Sequence, residues 1–166
     1  MNKTYKYILV LLVSVIVAYY NSGKEEAELS GLMPVSRVVD GDTFWAEDGS
    51  KKGVKIRLIG VDAPETRNSN YKKIGFYGQE AKAYLTDLLD NQEVRLEYGV
   101  DSLDRYGRVL AYVYLSDGTF VNEELIKNGF ARVLSIPPNI KYVDVFASYE
   151  RDARESNRGL WQKESE

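Results

Sequence analysis

Four short stretches of this chain carry side chains that could do chemistry. Asp40-Gly41-Asp42-Thr43 sets two carboxylates around a glycine. Arg57 is followed by Asp62 and Glu65. Asp104-Arg105-Tyr106-Gly107-Arg108 mixes an acid, two guanidinium groups and a phenol, and Asn122-Glu123-Glu124 is the fourth group. Taken singly, each has a structural explanation. Asp-Gly-Asp is common turn chemistry, an arginine on a strand is usually solvated or ion-paired, and Asn122-Glu123-Glu124 reads as a helix cap with acids at the positive end of the dipole. Taken together, the first three groups fit one reaction. Phosphodiester hydrolysis needs a cation bridging the phosphate, extra positive charge in the transition state, and a group that orients water. Asp42 and Asp62 are hard oxygen donors suited to Ca²⁺. Arg57 and Arg108 can each fork two N–H donors onto phosphate oxygens. Glu65 can hold the attacking water.

Two absences narrow the chemistry further. The chain has no Cys and no His. That removes disulfides, thiol nucleophiles, Ser-His-Asp triads and the usual ligands of zinc and iron–sulfur sites. Net charge is −3, and Lys3 and Lys6 lie outside the candidate domain, which is more acidic still. A nucleic-acid partner must therefore be met by a local basic site or a metal rather than by the field of the whole molecule.

Positioning these groups falls to short strands. Val35–Val39 and Thr43–Ala46 flank the Asp-Gly-Asp turn, and Val54–Val61 alternates at period two. Ala81, Tyr84, Leu85, Leu88 and Leu89 have helical spacing. Val94–Tyr98 and Val109–Leu115 read as strands, the second apolar on both faces and hence central. A short helix at Glu123–Asn128, an extended segment at 131–136 and a helix over Val143–Asn157 complete the order. The fold class expected is α+β: a five-stranded Greek-key barrel, the OB-fold, with three helices. One difficulty is visible. Arg57 and Asp62 have opposite parity on one strand, so they meet only if the chain bends near Gly60.

The expected organisation is an N-terminal signal peptide or membrane anchor over residues 1–22, a linker over 23–33, the folded domain over 34–162 and a tail over 163–166. Lys3 and Lys6 precede the apolar run Ile8–Ala18, the pattern of an export segment. Left uncleaved, it would tether the chain to a membrane. Either outcome is an extracytoplasmic location.

Several motifs in order resemble the staphylococcal-nuclease-like (thermonuclease) family. They are Val39-Asp40-Gly41-Asp42-Thr43, Arg57-Leu58, Val61-Asp62-Ala63-Pro64-Glu65-Thr66, Tyr77-Gly78-Gln79-Glu80-Ala81, Asp104-Arg105-Tyr106-Gly107-Arg108, Val121-Asn122-Glu123 and Gly159-Leu160-Trp161. The resemblance implies Ca²⁺-dependent cleavage of DNA and RNA that leaves 3′-phosphate ends; separately, a monomer with no protein partner is expected. It implies metal ligation by Asp42, Asp62 and the Ala63 carbonyl, with Asp40 a supporting acid nearby. It implies catalysis by Arg57, Glu65 and Arg108, and substrate contact by Arg105 and Tyr106. Ala63 stands where the family has Thr, and Ala131–Leu134 lacks the tyrosines that relatives carry against the base. The rival readings are a non-catalytic nucleic-acid-binding module and a membrane-tethered interaction domain. A strand binder gains nothing from acids beside the phosphate track.

Overall fold

The computed structural model describes residues 12–14, 31–66 and 75–162. The expectations for residues 1–11, 15–30 and 163–166 lie outside these, as does most of the expected linker. Residues 12–14 are helical and exposed. Among the described residues, no helix is long and apolar enough to cross a membrane. The compact unit that carries the site starts at Met33.

Its elements are β1 (Met33–Asp40), β2 (Thr43–Ala46), β3 (Val54–Leu58), β4 (Val61–Asp62), α1 (Gly78–Leu89), β5 (Glu93–Leu103), β6 (Val109–Leu115), α2 (Val121–Lys127), β7 (Arg132–Val133) and α3 (Val143–Glu155), closed by a 3₁₀ turn at Gly159–Trp161. The main sheet runs β1-β2-β3-β6-β5. All its pairs are antiparallel except β3 with β6. β5 meets β1 through only two pairs, Met33↔Val94 and Pro34↔Glu93. Phe44, Ile56, Leu58, Val94, Val113 and the helix residues Leu85, Leu125 and Phe146 fill a continuous core.

The main sheet has the five strands expected, but the expectation of three helices is corrected. Among the described residues after position 33 there are seven strands in two sheets and four helical elements. One cause is Gly60. Its φ of 78° ends β3 and redirects the chain, so that Val61 and Asp62 pair with Val133 and Arg132 in a separate ladder. The other is the C-terminus, where Leu160 N–H and Trp161 N–H bond to the carbonyls of Gly129 and Arg158 and wind a fourth helical turn. Two smaller expectations also change. The strand expected over Val94–Tyr98 runs on to Leu103 as β5. Asn122 lies within α2 and does not cap it; Phe120 occupies the cap position, with no side-chain bond.

Asn122 is wholly buried, and its amide straps three segments together. Oδ1 accepts the Val113 N–H at 2.9 Å, and Nδ2 donates to the Ile59 carbonyl at 2.8 Å. A buried amide with both ends satisfied fixes geometry, because each lost bond strands a polar group. Here it fixes α2 against β6 and against the bend at Gly60.

Candidate active site

The site begins at the β1–β2 turn. Asp40 pairs with Thr43 across it, and Gly41 lets the turn sit down on its neighbours. A Cβ at Gly41 would fall 2.7 Å from the Ala63 Cβ and 2.9 Å from the Ala81 Cβ, so no larger residue fits. Asp42 is thereby driven inward, to 8% exposure. Its Oδ1 accepts the Thr43 hydroxyl at 2.8 Å and its Oδ2 the Ala63 N–H at 3.2 Å. Burial pushes the Asp42 carboxyl above its ordinary value, against the opposing pull of Arg57, the Thr43 hydroxyl and the Ala63 N–H.

Arg57 reaches Asp42 from β3. Nη2 lies 3.1 Å from Asp42 Oδ2 and 3.6 Å from Asp62 Oδ1. Nη1 donates to the carbonyls of Leu58 at 2.8 Å and Val61 at 2.5 Å. The parity problem is resolved by the Gly60 bend. Past it the chain doubles back far enough for Arg57 to bind the Val61 carbonyl and approach Asp62. A Cβ at Gly60 would lie 2.7 Å from the Phe146 ring, so helix α3 holds the bend closed.

Glu65 follows on the loop after β4. Its carbonyl accepts the Gly75 N–H at 2.9 Å. One residue on, the Thr66 hydroxyl donates to Asp40 Oδ1, and Gln79 Nε2 donates to the Thr66 carbonyl at 2.9 Å. Asp40 and α1 thus anchor the segment that carries Glu65.

The other wall is the β5–β6 turn. Asp104 organises it: Oδ1 accepts the N–H groups of Tyr106 at 2.8 Å and Arg108 at 3.0 Å, and Oδ2 accepts Arg108 Nε at 2.6 Å. Burial alone would raise the Asp104 carboxyl, but the Arg108 N–H, the Arg108 guanidinium and the Tyr106 N–H hold it below its ordinary value. Arg105 Nη2 donates to the Tyr106 hydroxyl at 2.6 Å. The guanidinium carbons of Arg105 and Arg108 lie 4.8 and 5.5 Å from the Tyr106 ring centroid.

Asp40, Asp42, Arg57, Asp62, Ala63, Glu65, Arg105, Tyr106 and Arg108 all line one open cleft of about 1070 Å³. Thr43, Lys55 and Pro64 line it too. Lys55 went unremarked in the sequence, although its spacing of two from Arg57 on a strand already placed both on one face. Asp104 was noticed only as part of its motif, and its role in holding Arg108 emerges from the fold. An apolar cavity of about 510 Å³ adjoins the cleft and shares Arg57, Arg105, Tyr106 and Arg108 with it; Leu58, Leu110 and Pro137 are among its walls.

Among the described residues, no three acidic side chains cluster closely enough to hold a metal by themselves. The donors present are nevertheless of one kind. Two carboxylates converge on the same guanidinium nitrogen, and every candidate ligand is an oxygen, as hard cations require. Two carboxylates leave most of the roughly six to eight positions around a calcium ion to water and substrate.

The model for the family described as staphylococcal nuclease homologue matches residues 55–163. The chain belongs to the staphylococcal nuclease family. Among its relatives is a thermonuclease of Staphylococcus intermedius, 37% identical over 163 residues, which cover 94% of this chain and 95% of that one. A thermonuclease of Staphylococcus hyicus is 42% identical over 127 residues, covering 76% and 73%. Endonuclease YncB of Bacillus subtilis (strain 168) is 38% identical over 131 residues, covering 78% and 61%. Membership of the staphylococcal nuclease family supports a nuclease-type hydrolase that acts on nucleic acids.

Proposed function

We propose that this chain is an exported, calcium-dependent nuclease that hydrolyses phosphodiester bonds of DNA and RNA and leaves 3′-phosphate ends. The observation that carries this reading is the convergence of Asp42, Asp62 and Arg57 at 3.1 and 3.6 Å in a cleft also lined by Glu65 and Arg108. Asp42, Asp62 and the Ala63 carbonyl would hold Ca²⁺. The ion, when bound, neutralises charge on the scissile phosphate.

Arg57 and Arg108 direct N–H donors at the non-bridging oxygens, where charge grows as the fifth bond to phosphorus forms. Glu65 orients a water and accepts its proton. The water oxygen bonds to phosphorus, the P–O5′ bond breaks, and a solvent water gives the departing 5′-oxygen its proton. Asp40 keeps the Glu65 loop in place through Thr66. Arg105 and Tyr106 bind a terminal phosphate, and the adjoining apolar cavity takes a base. The partners of this reading are nucleic acids and, if the N-terminal segment is left uncleaved, the membrane; the catalytic unit is a monomer.

The test is incubation of the full chain with DNA and with RNA, first with Ca²⁺ and then with excess chelator. Fragments with 3′-phosphate ends that appear only with the ion support the reading. Intact substrate under both conditions, or cleavage indifferent to chelator, overturns it.

A further inference from the structure

The outward face of the sheet does not stop at Arg57. Lys55 lies two residues earlier on β3 and shares its face, because strand side chains alternate. Trp45 stands opposite Lys55, and Arg37 stands opposite Trp45 on β1. The intervening residues Phe44, Ala46 and Ile56 are buried, which turns this row outward. It lies one side-chain step from Thr43 and Arg57, which pair across the same strands. Neighbouring strands sit about 4.8 Å apart, and two residues advance about 6.8 Å. Lys55 also lines the cleft, so row and cleft are continuous.

The row surrounds an aromatic plate with positive charge. The Arg37 guanidinium carbon lies 5.3 Å from the Trp45 ring centroid, and Lys52 Nζ lies 5.8 Å from it. Arg37 and Lys52 are exposed, and Trp45 is half-buried. Among the described residues, Arg37, Lys52 and Lys55 form no salt bridge. In a chain of net charge −3, such a concentration of unneutralised cations around a tryptophan marks a local anionic partner.

We infer that Arg37, Trp45 and Lys55 form a subsite for one nucleotide of an unpaired strand, next to the phosphate under attack. The inference deepens the proposed function and rests on it. The base stacks on Trp45, and Arg37 and Lys55 meet the flanking phosphates. Lys52, at the outer limit of a cation–π contact, yields the ring to the base and turns to the backbone. Stacking tolerates any base, so the subsite selects strand length and unpaired strands rather than sequence.

The experiment compares steady-state cleavage of an eight-nucleotide oligo(dT) and a dinucleotide by the full chain. Trp45→Ala is expected to raise KM for the octamer about tenfold, with kcat and the dinucleotide unaffected; Trp45→Phe restores most of the loss. Arg37→Gln is expected to flatten the slope of log affinity against log salt by about 0.7. An unchanged octamer KM, or an equal rise on both substrates, overturns the subsite. If Trp45→Ala does not fold, the Arg37→Gln slope decides, and an unchanged slope overturns it. If the parent chain cleaves neither substrate, the nuclease reading fails separately. The subsite is then judged by titrating the octamer into Trp161→Phe, where Trp45 is the remaining one of two tryptophans. Saturable quenching supports the subsite, and unchanged emission overturns it.

Discussion

Two of the three arginines that line the cleft, Arg57 and Arg108, are held in opposite ways. Arg57 sits on a central strand, 11% exposed, with two backbone carbonyls and two carboxylates around it. Arg108 sits at the end of a turn, 27% exposed, with Asp104 as its ion partner. On the proposed reading the first belongs to the core as much as to the chemistry. The second is a surface group aimed by one carboxylate. A guanidinium that serves both stability and turnover cannot be altered for one purpose alone, whereas a turn-borne one can.

The comparison breaks most sharply at Arg57. Arg57→Ala strands the buried Asp42 without its counter-charge, and removing one partner of a buried pair costs about 3–5 kcal/mol. Both melting temperature and turnover should fall, read by calorimetry and by DNA cleavage in parallel. Arg108→Ala should spare the melt, with a change within about 0.5 kcal/mol. It should still lower kcat by about 10²–10³ through loss of a transition-state donor. A melt as damaged as that of Arg57→Ala would erase the distinction between the two halves.

Gly60→Ala sharpens it from the other side. The positive φ and the Phe146 contact oppose any Cβ, and a strained backbone position costs on the order of 1–3 kcal/mol. The loss should appear in urea unfolding, together with reduced cleavage, since the bend brings Asp62 to Arg57. Asp104→Asn is the mildest change. The folded-state value of Asp104 is lowered, so its contribution to stability is present above the unfolded value and fades as pH falls through the folded one. The variant should be less stable than the parent near neutrality, and the gap should close below about pH 4. Thermal melts across an acid series would reveal it, and a gap that widens toward acid would contradict the assignment.

Much of this was legible in the sequence because period-two alternation and turn chemistry are local. Spacing alone puts Val54, Ile56 and Leu58 on one face of a strand, and Ile56 and Leu58 are indeed buried. The same rule set Arg57 and Asp62 on opposite faces, and it failed because it cannot report φ at Gly60. What remained hidden depended on partners distant in the chain. The pairing of Val61 with Val133, which splits one expected strand into two, is a tertiary outcome. Asn122 looks like an N-cap to any local rule, since Asn is favoured there. Only the packing of α2 onto β6 turns its amide into an internal strap. The nine candidate site residues were readable as motifs, but their shared cleft required the bend, the close approach at Gly41 and the Asp104-bound turn.

That strap has a consequence for how the molecule comes apart. Asn122 ties the backbone of α2 to the carbonyl just before Gly60, so fraying of this short helix and loosening of the catalytic rim are one event. Amide exchange at Val113 and loss of hydrolytic competence should then share a common opening transition, which makes the enzyme switch off as a unit rather than degrade by degrees.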